Sequence, residues 1–423
     1  MTSTRQRFGV TLFSACFAVG LLMTLPADAA DWSGFRGPGS SGISDDSTVP
    51  VEWSDSKNLK WKVELPGKGY SSPIVIGDRV FLTCYSGDEG DLSNLKRHVV
   101  CVNRETGDEL WSKVVPSTAR ERSIPGFAGT PGYASNTPVS DGEHIYVLLG
   151  NSGVFAFDLS GKQLWQKDVG AESAAMFGSA SSPIIYKDML IVPAGSESES
   201  LRAFNKATGE EVWKTEASSL SRSYSTPIVV KNEADSDVIL MSVPQEIWAI
   251  NPDSGKLSWY AETRVDTGAC PVLVAGDGVV YAVGGRSGGR TAVRLGGKND
   301  VTDSHVLWSK TGGAYVPSPV LYDGHLYWVT DRGVVNCVDV KTGEETGRKR
   351  LGGQYYASVQ LIGNRLYAVS RFSGTYVLEA TPELTEVAHN ELSDKSDFSA
   401  SPAVSNGQLF IRSDASLYCI AAN

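Results

Sequence analysis

Side chains able to do chemistry are sparse in this chain of 423 residues, and their spacing argues against a catalytic constellation. No His-Glu-x-x-His, Cys-x-x-Cys or P-loop pattern occurs in the sequence, and the Gly-x-Ser-x-Gly match at residues 285–289 sits in a glycine-rich turn with no helical pattern after it, so it is not a nucleophile elbow. Zinc hydrolysis, dithiol redox, nucleotide binding and serine-elbow acyl transfer therefore have no recognisable machinery. His144 and His325 sit just after Asp-Gly pairs, where a histidine is expected to decorate a turn rather than hold a metal. Asp88, Glu89 and Asp91 flank Gly90 closely enough to grip calcium weakly, but three carboxylates in a loop are expected to be solvated. What recurs instead is aromatic: Tyr70, Tyr133, Phe177, Tyr224, Tyr315, Tyr356 and Phe398 return at long intervals, and Arg120, Glu121, Arg122 and Phe127 crowd the stretch before Tyr133. Aromatic and arginine side chains of this kind bind ligands and partners rather than move protons.

Those residues are positioned by a repeat. Residues 135–170 contain four short runs of alternating polarity broken at Asp141-Gly142, Gly150–Gly153 and Ser160-Gly161, which predicts an antiparallel meander of strands A to D. Strand A opens after Ser, Thr or Cys followed by Pro at Pro73, Pro138, Pro183, Pro227, Pro271, Pro319 and Pro402, with Val359 in the equivalent place of one further unit. The interval is about 45 residues, the period of a propeller blade. Strand D carries a tryptophan shortly after a turn glycine: Trp111, Trp165, Trp213, Trp259 and Trp308. Gly347 stands where the sixth unit should have one and the seventh ends near Ala388, so those two blades are expected to pack differently and less tightly. The last unit stops before its D strand, while residues 58–65 form an orphan D-like strand around Trp61. The prediction is an all-β, eight-bladed β-propeller of four-stranded antiparallel blades, closed by the N-terminal strand completing the last blade.

The run Asn-x-x-Thr/Ser-Gly-x-x-x-Trp at residues 103–111, 205–213 and 251–259 resembles the repeat of the pyrroloquinoline-quinone (PQQ) propeller superfamily. The opening Trp32-x-x-Phe35-Arg36-Gly37-Pro38, with Glu52-Trp53, Lys60-Trp61-Lys62 and Leu65-Pro66-Gly67, looks like the start of a group of exported bacterial PQQ-like repeat proteins. The superfamily includes quinoprotein alcohol dehydrogenases, which hold PQQ and calcium on the propeller axis, and an outer-membrane-assembly lipoprotein that acts as a non-enzymatic scaffold. The dehydrogenases stack PQQ between a tryptophan and a disulfide of adjacent cysteines. This chain has no Cys-Cys pair and little length beyond minimal blades, so the resemblance implies a binding or assembly module with no cofactor. A PQQ- and calcium-dependent oxidoreductase of alcohols or sugars and a glycan-binding propeller are the alternatives.

Two arginines, an apolar run and Ala27-Asp28-Ala29 read as a secretory signal peptide over residues 1–29. An extended segment is expected over 30–57 with Trp32 and Phe35 as anchors, and the propeller over 58–423. Cys84, Cys101, Cys270, Cys337 and Cys419 then remain, most of them at small-residue positions of the repeat, and are expected as buried fillers rather than redox groups. Net charge of −10 without a basic block argues against nucleic acid. The expectation is a periplasmic or secreted monomer with no transmembrane span after cleavage, meeting a protein or glycan of the envelope. The candidate ligand or partner contacts are Tyr70, Arg120, Arg122, Phe127, Tyr133, Phe177, Tyr224, Tyr315, Tyr356 and Phe398. The first repeat interval is the longest. Its extra residues fall in the B–C and D–A connections, which emerge on one face of a propeller, where function tends to reside.

Overall fold

A computed structural model describes residues 1–2, 31–87, 91–116, 118, 121–124, 126, 132–171, 175–286 and 288–422. The expected signal peptide, but for Met1 and Thr2, lies outside the described residues, as do Asp88, Glu89, Gly90, Arg120 and Phe127. Eight sheets form, in blades spanning 74–116, 139–167, 184–216, 228–262, 274–311, 320–350, 360–390 and 403–421. The eighth takes its outer strand from Leu59–Glu64, which pairs antiparallel with Ser416–Ala421, so the two ends of the chain shut the ring. Among the described residues no helix is long and apolar enough to cross a membrane.

Burial follows from stacking blades face to face. In the second blade His144–Leu148 and Val154–Asp158 are apolar on both faces and buried on both, because a neighbouring blade covers each side. The outermost strands are largely exposed: in Glu211–Glu216 only Trp213 is buried. Each such indole lies opposite a small residue of strand C, as in the pairs Trp111 with Cys101, Trp165 with Ala156 and Trp61 with Cys419. It then reaches over the turn of the next blade. Trp61 Nε1 donates to the Arg104 carbonyl over 2.8 Å, Trp165 to Lys206 over 3.0 Å and Trp308 to Val340 over 2.9 Å. The turn glycine beneath is obligatory, since a Cβ on Gly107 would lie 2.8 Å from the Trp61 ring and its φ is +78°. Cys101 and Cys419 are thus space-fillers under docked indoles, while Cys337 lies opposite Gly347, and all five described cysteines are free thiols.

Blades six and seven depart from this rule differently from the expectation. Gly347 is not a gap: a Cβ there would lie 1.9 Å from the Pro382 carbonyl, because the turn of the seventh blade has moved in to touch the backbone. After the seventh blade the missing indole is supplied from elsewhere. Trp53, 4% exposed, stacks on Tyr367 at 6.2 Å with ring planes 2° apart, and its amide donates to Asn390 Oδ1. Both junctions are therefore filled.

Trp53 belongs to a strap, residues 31–57, that crosses the face carrying the A–B hairpins. Trp32 bridges to Val75 of the first blade, the Ser33 carbonyl accepts from Ser140 of the second, and Arg36 Nη2 donates to the Pro319 carbonyl of the sixth. Ile43–Ser44 pairs in parallel with Gln360–Ile362, adding an innermost strand to the seventh blade, and Asp46 accepts from the Gly407 amide of the eighth. An innermost strand lies at the axis, so the strap stops one end of the central channel.

Candidate binding site at the propeller axis

Each strand A enters from the opposite face, and its first residues build the channel wall. The hydroxyl residue before the landmark proline accepts a backbone N–H from the blade before it. Ser72 N donates to Thr137 Oγ1 over 2.9 Å, Thr137 N to Ser182 Oγ over 2.9 Å and Ser182 N to Thr226 Oγ1 over 3.1 Å. The belt resumes with Val272 N to Ser318, Ser318 N to Ser358 and Ser358 N to Ser401. It is interrupted where Cys270 replaces the hydroxyl. Sequence reading took these residues as landmarks of the repeat and missed their role. Their signal was present in the restriction to small hydroxyls, which can accept from an amide without filling the channel.

Two to five residues earlier along each chain crossing stand the aromatic candidates. Tyr70, Phe177, Tyr224, Tyr315 and Tyr356, from five different blades, line one cavity of about 160 Å³ whose floor is the hydroxyl belt and into which Phe35 of the strap projects. Phe177 and Tyr224 meet edge to face at 5.5 Å. Tyr70 donates its phenol to Asp397 over 2.8 Å, and Asp397 also holds the Arg371 guanidinium, which lies 4.3 Å over the Tyr356 ring. The mouth broadens into a second cavity of about 320 Å³ that shares Phe177, Tyr224 and Tyr315 and adds Arg222, Arg286 and Glu199.

Tyr133 and Phe398 do not join this ring. Tyr133 turns outward, packing edge to face on Tyr85 at 5.5 Å, and Ser135 takes its place at the cavity. Phe398 is buried in the eighth blade against Tyr418. Arg122 and Tyr133 instead line a smaller cavity over the first three blades with Arg97, Glu121 and Glu197. Arg97 and Glu121 form a bidentate pair there, with side chains 3% and 4% exposed. His144 and His325 lie at the A–B hairpins, on the strap side and remote from either cavity.

The axial cavity is suited to holding a group, because nothing lining it titrates near neutrality. Burial pushes the Cys270 thiol up to about 12 and the Tyr315 phenol likewise to about 12, and burial together with the Asp397 charge raises Tyr70 further. A calcium-bound quinone does not fit: the lining supplies no carboxylate for the metal and one thiol where a vicinal disulfide would be needed. Among the described residues no three His, Cys, Asp or Glu side chains converge as metal ligands.

A closed ring of eight PQQ-like blades with a socket on its axis defines a class of protein that comparison with known families makes specific. The model described as outer membrane protein assembly factor BamB matches residues 95–349, and the chain belongs to this PQQ-like, BamB-like propeller family. Among curated proteins it is 23% identical to tetrathionate hydrolase of Acidithiobacillus ferrooxidans, over 77% of this chain and 67% of that protein. It is 22% identical to BamB of Yersinia pestis, over 66% of this chain and 72% of that one. Among solved structures, BamB from Moraxella catarrhalis superposes with a TM-score of 0.62 at 15% identity, covering 85% of this chain and 96% of that chain. A europium-containing methanol dehydrogenase superposes with a TM-score of 0.65 at 11% identity, covering 90% and 89%. The fold is thus shared with BamB and with a methanol dehydrogenase.

Proposed function

We propose that this protein is an exported, non-catalytic binding or assembly module of the cell envelope, working without PQQ or calcium, whose partner contacts the aromatic mouth of the axial cavity. The observation that carries this reading is the convergence of five aromatic side chains from five blades on a socket whose far end the strap closes. A channel open at both ends would suit passage, whereas a blind socket suits capture. Kinship with proteins described as outer membrane assembly factors supports the envelope setting, as does the signal peptide read over residues 1–29.

The test is site-specific photocrosslinking in cells. A crosslinking residue at Met176, which is 59% exposed at the cavity rim, should trap one envelope component, and Tyr224→Ser with Tyr315→Ser should abolish the adduct. The same crosslinker at Glu233, on an A–B hairpin, should trap none. An adduct indifferent to the tyrosines would overturn the reading, as would dye-linked alcohol or sugar oxidation on adding PQQ and calcium. Retention on a polysaccharide column, lost with the same tyrosines, would make the partner a glycan.

A further inference from the structure

The belt hydroxyls have a property that inter-blade bonding leaves unused. Ser182, Thr226, Ser318, Ser358 and Ser401 line the cavity floor, and each already accepts an amide N–H. A hydroxyl also carries one hydrogen to donate. Among the described residues none of these five donates to a protein acceptor. The floor is therefore a ring of donors facing a space whose walls are neutral phenols and a phenylalanine.

Outside the cavity lining, but bonded to the residue that follows one of the floor serines, lies an unanswered charge. Arg36 is 0% exposed and makes no ion pair with any described residue. Its Nη2 donates to the carbonyls of Pro319, the residue following Ser318 of the floor, and of Ser41, while Nε and Nη1 have no partner. Burial lowers its pKa to about 9, which still leaves the guanidinium protonated at neutral pH. A buried cation without a counterion is costly, and the floor hydroxyls are free to donate to an acceptor that enters the cavity. An apolar ring entering the mouth would satisfy the aromatic walls and neither of these groups. A carboxylate at its tip would answer both, since hydrogen bonds to an ionised acceptor are about twice as strong as neutral ones.

We propose that the floor of the axial cavity is an anion site, and that the group entering the mouth is a small carboxylate carried on a flat apolar body. This deepens the reading of the axial mouth as the contact face and rests on it. The test uses the full chain with benzoate and its uncharged isostere benzamide, followed by titration calorimetry and by the rate at which a small thiosulfonate modifies Cys270, the thiol in the cavity lining. Benzoate should bind at least about tenfold more tightly than benzamide and should slow Cys270 modification. That preference should vanish in Arg36→Met. If that variant fails to fold, the isostere pair on the unaltered protein still decides. Equal binding of the two probes would overturn the anion site while leaving the mouth as contact face. Failure of both to bind or to protect Cys270 would also overturn it, and crosslinking at Met176 judges the contact face independently.

Discussion

Trp61 and Cys419 are register partners across the seam that joins the two ends of the chain, and the Trp61 indole then lies over Gly107 of the first blade. One side chain thus secures two closures, the strand pairing within the eighth blade and the docking of that blade on the first. Trp61→Ala should destabilise the propeller by about 3–5 kcal/mol in urea unfolding, the range for emptying a buried aromatic site. Leu110→Ala, at a 44% exposed position of the next outer strand, should cost little. A Trp61→Ala protein as stable as the unaltered chain would mean that the seam does not hold the ring.

Repeat consensus would put a tryptophan at position 347, and the geometry forbids it. Because Gly347 already touches the Pro382 carbonyl, Gly347→Trp should destabilise rather than stabilise, by about 1–3 kcal/mol or more. Gly347→Ala should do the same in smaller measure. Chemical denaturation of both variants checks the sign, and a gain in stability for either would show that the turn at Pro382 can retreat.

Trp53 acts as the seventh blade's tryptophan although it comes from the strap, over 300 residues away in sequence from its partner Tyr367. Trp53→Ala should therefore cost about 3 kcal/mol and also loosen the strap, so that limited proteolysis cuts within residues 40–57 sooner than in the unaltered protein. Unfolding without faster cleavage of the strap would detach these two roles.

How much of this was legible beforehand follows from which interactions repeat. Strands, blade count and ring closure were readable because every blade restates the same Gly and Trp chemistry, and the orphan strand at Trp61 matched the unit lacking its own. Departures were not readable for the converse reason. Gly347 and Trp53 are solved once each, by contacts between segments distant in sequence, so the pattern registered only a missing indole. The aromatic ring was half visible: spacing from the proline landmark located all seven side chains, but spacing does not encode rotamer direction, and Tyr133 and Phe398 turn away toward Tyr85 and Tyr418. The donor floor went unseen because serine before proline in a strand has an ordinary structural use. Only convergence of the blades on the axis shows the hydroxyls facing one space.

Glu197 lies 1% exposed in the smaller cavity over the first three blades, where neither carboxyl oxygen makes a hydrogen bond of ordinary geometry. Burial pushes its carboxyl from 4.5 up to about 7, against the opposing pull of Ser179 and Arg97, while Glu121 adds to the rise. The folded state therefore holds this proton more tightly than the unfolded chain. Below about pH 4.5 both states are protonated and the group costs nothing; between about 4.5 and 7 the unfolded chain gives up its proton first, so stability falls as pH rises, and above 7 the full penalty remains. A shift of this size corresponds to about 3 kcal/mol. Glu197→Gln removes the ionisation and should raise stability by up to that amount near pH 8 while changing little near pH 4. Thermal unfolding of both proteins across this range measures the difference, and parallel curves would show that the carboxylate finds compensation at neutral pH.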